Sequence, residues 1–489
     1  MNGDKYIIEN RSDRCVRCLV INERHPNILQ YKETAYGCYS KNTFDICFDI
    51  NGDAPLYSLF RVNTSPIKCP FNGPYLFSYS KGINECRDPL SEIGECTDDK
   101  RLLLKFKACA DVYGSESRVE ELECIAEWKE SNNKYLVGKL HHSSATSHED
   151  KFRCFVIEKN NSDPIESYNI GQSGDASCDG LFSPRDGLRT FKIRKTNRIE
   201  PKCDFPNWLV DNRHWKTLDN RQKYDFSGGK TFIVTNERGD NVERHSKCIE
   251  SDDISFLYKF NASRFVLHTT LGCKSGFTCL HAYLREERIV ELQMGKIVPH
   301  FAEACSVQNF NPATTRFTTL TTFDHNTREC YLKGIFSIRS KLAHYGITNH
   351  RINNSNYSRL VSFLDSRFIC QEKSLRLKSN CDDQDQFQFS CSNDNRVKNL
   401  KCRGGWRENN TQWFLVSFIE KFNYEYCISL NMLTNEIKMI PNSHFCFREN
   451  HQTFDKSGTL NNQVFGFDQL SNNGVPTPVV SFNLINEGK

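Results

Sequence analysis

Arg118-Val119-Glu120-Glu121-Leu122-Glu123-Cys124, followed by Trp128, Glu130 and Tyr135-Leu136-Val137, returns later in the chain as Arg396-Val397-Lys398-Asn399-Leu400-Lys401-Cys402, followed by Trp406, Glu408 and Phe414-Leu415-Val416. The shared pattern, R-V-x-x-L-x-C-x-x-x-W-x-E with an apolar run behind it, is too long for coincidence and marks an internal duplication. The cysteines carry the match outward. Cys69, Cys86, Cys96, Cys109, Cys124, Cys154 and Cys178 fall in order against Cys330, Cys370, Cys381, Cys391, Cys402, Cys427 and Cys446. The openings agree as well, Cys69…Gly73…Phe77-Ser78 against Cys330…Gly334…Phe336-Ser337. A second kind of unit precedes each of these. Tyr6-Ile7-Ile8 before Cys18 matches Phe232-Ile233-Val234 before Cys248, and Gly37-Cys38…Cys47 matches Gly272-Cys273…Cys279. The order read from the sequence is A-B-A-B, with modules at 1–66, 67–200, 201–325 and 326–489 and a loose tail at the end of the last.

Period-two alternation makes these modules β rather than helical. Leu104, Phe106 and Ala108 alternate with Lys105 and Lys107; Phe191 and Ile193 alternate with Lys192 and Arg194; Val290, Leu292 and Met294 alternate with Glu291 and Gln293. Clusters of Asn, Asp, Gly and Ser separate the runs, as turns between half-buried strands require. The expected fold class is all-β: four tandem disulfide-rich antiparallel modules.

Composition narrows the function. The 64 Lys and Arg against 60 Asp and Glu give a net charge of +4, too balanced for an electrostatic nucleic-acid binder. A hydrophobic share of 38% with 35 Phe is too apolar for a disordered chain. No apolar run approaches the ~20 residues that span a bilayer. The 23 cysteines offer one knuckle, Cys15-x-x-Cys18, and no second one to complete a zinc site, so they predict a disulfide framework in an oxidising compartment. The seven cysteines of each B module are an odd number, which predicts a bridge leaving the module. Sequons at Asn10, Asn63, Asn160, Asn261, Asn353, Asn356 and Asn409 agree with an extracellular glycoprotein. Met1-Asn-Gly-Asp-Lys-Tyr is no signal peptide. The first A-B pair holds eleven cysteines and the second twelve, with no early counterpart of Cys203. The expectation is that a leader and part of a module lie outside this chain, leaving one thiol without its partner.

Candidate chemistry is sparse. Cys15 and Cys18 have redox spacing but sit among strand signals, where structural half-cystines are expected. Gly171-Gln172-Ser173-Gly174-Asp175 departs from a nucleophile elbow. His141, His142, His148 and His444 form no ligand pair on a shared helical face, and Asp49-Ile50-Asn51-Gly52-Asp53 and Asp382-Asp383-Gln384-Asp385 lack an EF-hand register. No catalytic residue, metal or cofactor is expected. Arg238-Gly239-Asp240, between Phe232–Val234 and Cys248, is placed at a hairpin tip where it could present an adhesion motif. Trp128 and Trp406 recur at one position, four residues after a cysteine, and suit packing on a disulfide or, alternatively, the floor of a ligand cavity.

Cys69-Pro-Phe-Asn-Gly, Phe77-Ser-Tyr-Ser, Glu116-Ser-Arg-Val-Glu-Glu-Leu-Glu-Cys124, Arg153-Cys-Phe155 and Cys203-Asp-Phe-Pro with His214-Trp215 resemble a family of arthropod extracellular proteins built from tandem cysteine-rich domains of unknown function. The resemblance implies a signal-peptide-led ectodomain, secreted or membrane-tethered, and supplies no catalytic residues. Residues and resemblance together lead to the expectation of a non-catalytic extracellular binding or adhesion protein for a protein or matrix partner, with no nucleic acid involved. The alternative is a carrier of a small hydrophobic ligand inside a β module.

Overall fold

The computed structural model describes residues 4–34, 39, 44–130, 133–141, 149–239, 241–258, 260–324, 326–330, 334–340, 375–379, 385–391, 397–408, 412–419, 422–431, 433, 436–439, 445–446, 448 and 480–486. It is all-β. The chain divides into two compact units, Met1–Ile199 with Thr270–Ser275, and Glu200–Thr269 with Gly276–Lys489.

In the first unit, β1 (Lys5–Asn10), β2 (Cys15–His25), β3 (Ile28–Glu33) and β4 (Tyr57–Phe60) form an open antiparallel sheet in chain order. The next eight strands close into a barrel: β5 (Tyr75–Ser80), β6 (Glu85–Gly94), β7 (Arg101–Phe106), β8 (Arg118–Glu130), β9 (Asn133–His141), β10 (Phe152–Lys159), β11 (Ser167–Gln172) and β12 (Arg189–Lys195). The last strand pairs with the first, Phe191 opposite Tyr79 and Ile193 opposite Phe77. Alternation explains the closure, because the inward positions along the middle of the barrel are apolar. Tyr75, Phe77 and Tyr79, Leu102, Leu104 and Phe106, Phe155 and Ile157, and Phe191 and Ile193 meet in a single buried core. Small up-and-down barrels fill their interior with side chains in this way. β7 ends at Phe106, so Ala108, expected to continue the alternation, is exposed.

The second unit repeats the closed topology twice. One barrel comprises β13 (His214–Thr217), β14 (Gln222–Asp225), β15 (Thr231–Asn236), β16 (Val242–Asp253), β17 (Ala262–Leu271), β18 (Lys274–Glu286), β19 (Ile289–Met294) and β20 (Phe317–Thr322). The other comprises β21 (Gly334–Ser340), β22 (Leu375–Ser379), β23 (Gln386–Cys391), β24 (Val397–Glu408), β25 (Gln412–Ile419), β26 (Phe422–Asn431), β27 (Glu436–Met439) and β28 (Val480–Asn486).

Disulfides fall at equivalent places in all of them. Cys69–Cys124, Cys203–Cys248 and Cys330–Cys402 tie the lead-in of each barrel to its fourth strand. Cys154–Cys178, Cys279–Cys305 and Cys427–Cys446 tie the sixth strand to the loop before the eighth. Cys86–Cys109 braces the first barrel, and Cys96 bonds Cys273 on the 270–275 turn of the same unit.

One expectation is corrected here. Cys18 and Cys47 are not the equivalents of Cys248 and Cys279. Cys18 bonds Cys47, linking β2 to the loop before β4 just as Cys279–Cys305 links β18 to the loop before β20. The isolated bridge Val16–Tyr39, two residues before Cys18, matches Phe277–Val298, two before Cys279. Side chains agree: Arg24 Nε donates to Gln30 at 2.9 Å as Arg285 Nε donates to Glu291 at 2.7 Å. Thus β1–β4 are counterparts of β17–β20. Spacing misleads because an alternating strand followed by a cysteine recurs in every half-barrel; the hydrogen-bond ladder and the disulfide partner remove the ambiguity.

The same face of a barrel does the packing in each unit. Trp128 stacks on Tyr135 at 5.5 Å and belongs, with Val137, to a cluster reaching Ile28 of β3. Trp406 stacks on Phe414 at 5.2 Å and belongs, with Val416, to a cluster reaching Leu218 and Ile289 of the preceding barrel. An ion pair flanks each contact, Arg24–Glu130 at 3.3 Å and Arg285–Glu408 at 2.9 Å. This packing also explains why the alternation in β19 does not leave a half-buried strand. Val290 and Leu292 point into the barrel, while the outward Glu291 is fully buried in ion pairs with Arg285 and Arg448.

Candidate binding site at the mouth of the first barrel

At one end of the first barrel, β8 and β12 carry charge in the inward phase of the strand. Arg118 and Glu120 share their register with Leu122 and Cys124, the latter two in the core. Glu120 is 1% exposed. A buried carboxylate needs compensating charge, which comes from Arg118 and from Arg189, whose Nη1 lies 3.2 Å from Oε1 and 3.3 Å from Oε2. The Arg189 guanidinium also lies over the Phe106 ring at 4.9 Å, roofing the apolar interior. Above this charged layer opens a depression of about 490 Å³, lined by Lys81, Arg118, Glu120, Arg153, Gln172 and Arg189 among others.

Four different strand ends and their loops bring these residues together. Lys81 follows β5 and donates to the Gly114 carbonyl at 3.0 Å. Arg153 at the start of β10 donates through Nη1 to the carbonyls of Asp150 and Phe152, at 2.8 and 2.6 Å. Gly171 lets the loop before β12 approach: a Cβ there would sit 2.6 Å from the Pro184 oxygen. Four cations face two carboxylates, Glu120 and Asp150, so the lining keeps an excess of positive charge. Such an arrangement can hold an anionic group by charge-assisted hydrogen bonds.

Ser173 lies in this lining, but its hydroxyl accepts from the Cys154 amide at 2.9 Å and donates to the Asp175 carbonyl at 2.6 Å. It fastens the loop to β10, and no imidazole is among the residues lining the depression. His141 is exposed and 3.2 Å from Glu123; His142, His148 and His444 lie outside the described residues. Asp49 accepts from the Tyr39 hydroxyl at 2.7 Å, and the Asn51 side chain caps the Asp53 amide, while Asp382 and Asp383 lie outside the described residues. Among the described residues no three His, Cys, Asp or Glu side chains are placed to share a metal ion.

Arg238 and Gly239 sit at the β15–β16 tip, where Gly239, at φ +78°, donates to the Asn236 carbonyl at 2.9 Å; Asp240 lies outside the described residues. Asn10, Asn63 and Asn261 are exposed and Asn160 is half-buried; Asn353, Asn356 and Asn409 lie outside the described residues. So do Cys370, Cys381 and the side chain of Cys391. Cys15 and Cys18 are both disulfide-bonded. Trp128 and Trp406 lie on outer barrel faces rather than in an interior.

Lys81, Arg153 and Arg189 were not legible as site residues in the sequence. A signal was present nonetheless: two charges, Arg118 and Glu120, in the inward phase of a strand otherwise filled by Leu122 and Cys124.

Fold and site define a tandem array of disulfide-pinned up-and-down β-barrels with a cationic mouth on the first. Three segments match family models, each described only as a domain of unknown function: residues 1–51 (DUF7044), 65–195 (DUF7042) and 199–319 (DUF7043). The chain therefore carries tandem domains of unknown function. No curated protein matches it, and no solved structure does. Among the described residues no helix is long and apolar enough to cross a membrane.

Proposed function

We propose that the chain is a non-catalytic extracellular binding protein, recognising an anionic group on a protein or matrix partner at the mouth of its first barrel. The observation that carries this reading is the cationic depression over a filled interior: Lys81, Arg118, Arg153 and Arg189 surround about 490 Å³ of open space. Repeated disulfides support an oxidising, extracellular setting, and exposed Asn10, Asn63 and Asn261 are accessible to glycosylation. The recurrence of the Trp128 and Trp406 faces supports reading the array as a duplicated A-B pair of the arthropod ectodomain type, secreted or tethered. A carrier role has less support, since Phe77, Phe106 and Phe191 occupy the barrel interior. The exposed Arg238-Gly239 tip supports adhesion through residues 238–240 as a second reading.

The test is a titration of the whole chain with a heparin oligosaccharide and with polyglutamate, each at several salt concentrations. Binding that weakens with salt, and drops about tenfold in Lys81→Glu, the loss of one charge-assisted contact, is the expected outcome. Binding of either probe that ignores Lys81→Glu and Arg153→Gln would move the site elsewhere.

A further inference from the structure

In the first barrel the inward phase of the strands changes character at the mouth. On five strands the next inward position beyond the apolar core is polar: Lys81 after Tyr79, Glu120 before Leu122, Arg153 before Phe155, Gln172 after Ile170 and Arg189 before Phe191. A side-chain period of two puts all five on the same inner wall, and all five line the depression.

Two of the five are not used up by the fold. Gln172 is 6% exposed, yet its side-chain amide has no hydrogen-bond partner among the described residues. A buried amide left unpaired costs free energy, and this one faces open space rather than the core. Arg153 spends Nη1 on two carbonyls and forms no ion pair among the described residues. The other cations are committed: Arg118 and Arg189 neutralise Glu120, and Lys81 stands 3.8 Å from Glu116. Leu188, 68% exposed, adds an apolar wall.

This lining matches a group with a single negative charge and several hydroxyls. Glu120 and Asp150 line the depression as well, and each repels a second anion. An amide presents a donor and an acceptor side by side, so its best partner both accepts and donates, as a hydroxyl does. A bare carboxylate or sulfate accepts only, and would leave the Gln172 oxygen unpaired. The volume of about 490 Å³ is that of a small-ligand site.

We propose that the anionic group held at this mouth belongs to an acidic sugar, with its carboxylate on Arg153 and Lys81, its ring hydroxyls on Gln172 and its ring face against Leu188. The inference rests on the reading of the mouth as the binding site, and narrows the partner to a uronate-bearing matrix glycan.

The experiment is calorimetric titration of the whole, disulfide-intact chain with three probes. They are a hyaluronan hexasaccharide, the same oligosaccharide with its carboxylates reduced to alcohols, and a capped glutamate peptide with as many carboxylates as the first. The first carries charge and hydroxyls, the second hydroxyls alone and the third charge alone. The hexasaccharide is expected to bind about tenfold more tightly than either of the others, the worth of one hydrogen-bonded contact. Gln172→Leu should cost the hexasaccharide about tenfold and leave the peptide unchanged, whereas Lys81→Glu should weaken both. The comparison of probes uses the unaltered chain, so a misfolded variant does not blunt the test. A glutamate peptide that binds as well as the hexasaccharide overturns the sugar assignment and returns the partner to an acidic protein segment, with the cationic mouth intact. Equal binding of the reduced oligosaccharide, or indifference of the hexasaccharide to Gln172→Leu, overturns it too. Binding of none of the three, nor of a heparin oligosaccharide, removes the mouth itself as a binding site.

Discussion

Replacing Glu291 by Ala tests whether buried charge holds the two barrels of the second unit together. Glu291 is 0% exposed and accepts from Arg448 Nη2 at 2.7 Å and Nη1 at 3.0 Å, from Arg285 Nε at 2.7 Å and from Thr319 Oγ1 at 3.1 Å. Glu408 completes the group, 2.7 Å from Arg448 and 2.9 Å from Arg285, so two carboxylates balance two guanidiniums. Deleting Glu291 leaves both cations sharing one carboxylate with little access to water. Breaking a buried pair from one side costs about 3–5 kcal/mol, whereas the exposed Arg101–Glu121 pair should be worth about 1 kcal/mol or less. Urea unfolding is the assay, because guanidinium salts would screen the interaction. Tryptophan fluorescence reports mainly the second unit, which holds Trp208, Trp215, Trp406 and Trp413, while Trp128 reports the first. The expected result for Glu291→Ala is a loss of about 3 kcal/mol or more confined to the second unit. A loss below about 1 kcal/mol, or one equally large in the first unit, would refute the reasoning. Acid should imitate the mutation. Burial alone would raise the Glu408 carboxyl, but the hydrogen bond and charge of Arg448 outweigh it and hold the group below its ordinary 4.5. Its contribution is therefore present above about pH 4.5 and is lost as pH falls below that value.

Two further outcomes concern stability. Burial, with a smaller push from Arg264, lowers His281 from 6.5 to about 4. The unfolded chain then takes up a proton that the folded one refuses, so the second barrel should be fully stable above pH 6.5 and lose stability toward pH 4, a slope that His281→Phe should flatten in urea midpoints. Removing the Cys69–Cys124 bridge, which closes a loop of 55 residues, should cost about 4 kcal/mol of unfolding free energy. A loss under about 2 kcal/mol would show that residual structure already restrains this segment in the reduced unfolded ensemble.

Strand identity was written locally and could be read locally. Tyr75, Phe77 and Tyr79 alternate because a strand turns successive side chains to opposite faces, and that period survives in any tertiary setting. Repetition was equally legible: the Arg118–Cys124 and Arg396–Cys402 stretches declare a duplicated unit before any contact is known, and the density of cysteines declares an oxidised one. Which cysteines correspond was not local. Cys18 could be set against Cys248 or Cys279 by spacing, and only the ladder through Val16 and the bond to Cys47 chose the latter. Burial of both faces of β19 was hidden too, because Glu291 looks like a solvated residue until a second barrel brings Arg448 to it.

What the sequence by itself determined is the all-β class, the repeat and the disulfide chemistry, each a property of neighbouring residues or of residue type. Closure into barrels and the cationic mouth were decided only in three dimensions. Lys81, Arg118, Arg153 and Arg189 are spread over four strand ends separated by 37, 35 and 36 residues, and converge solely because an up-and-down barrel returns every second turn to the same rim. Likewise, Tyr57 and Phe191 have the same local alternation. Tyr57 is exposed and Phe191 is sealed in the core of the closed first barrel, a difference that local alternation does not carry.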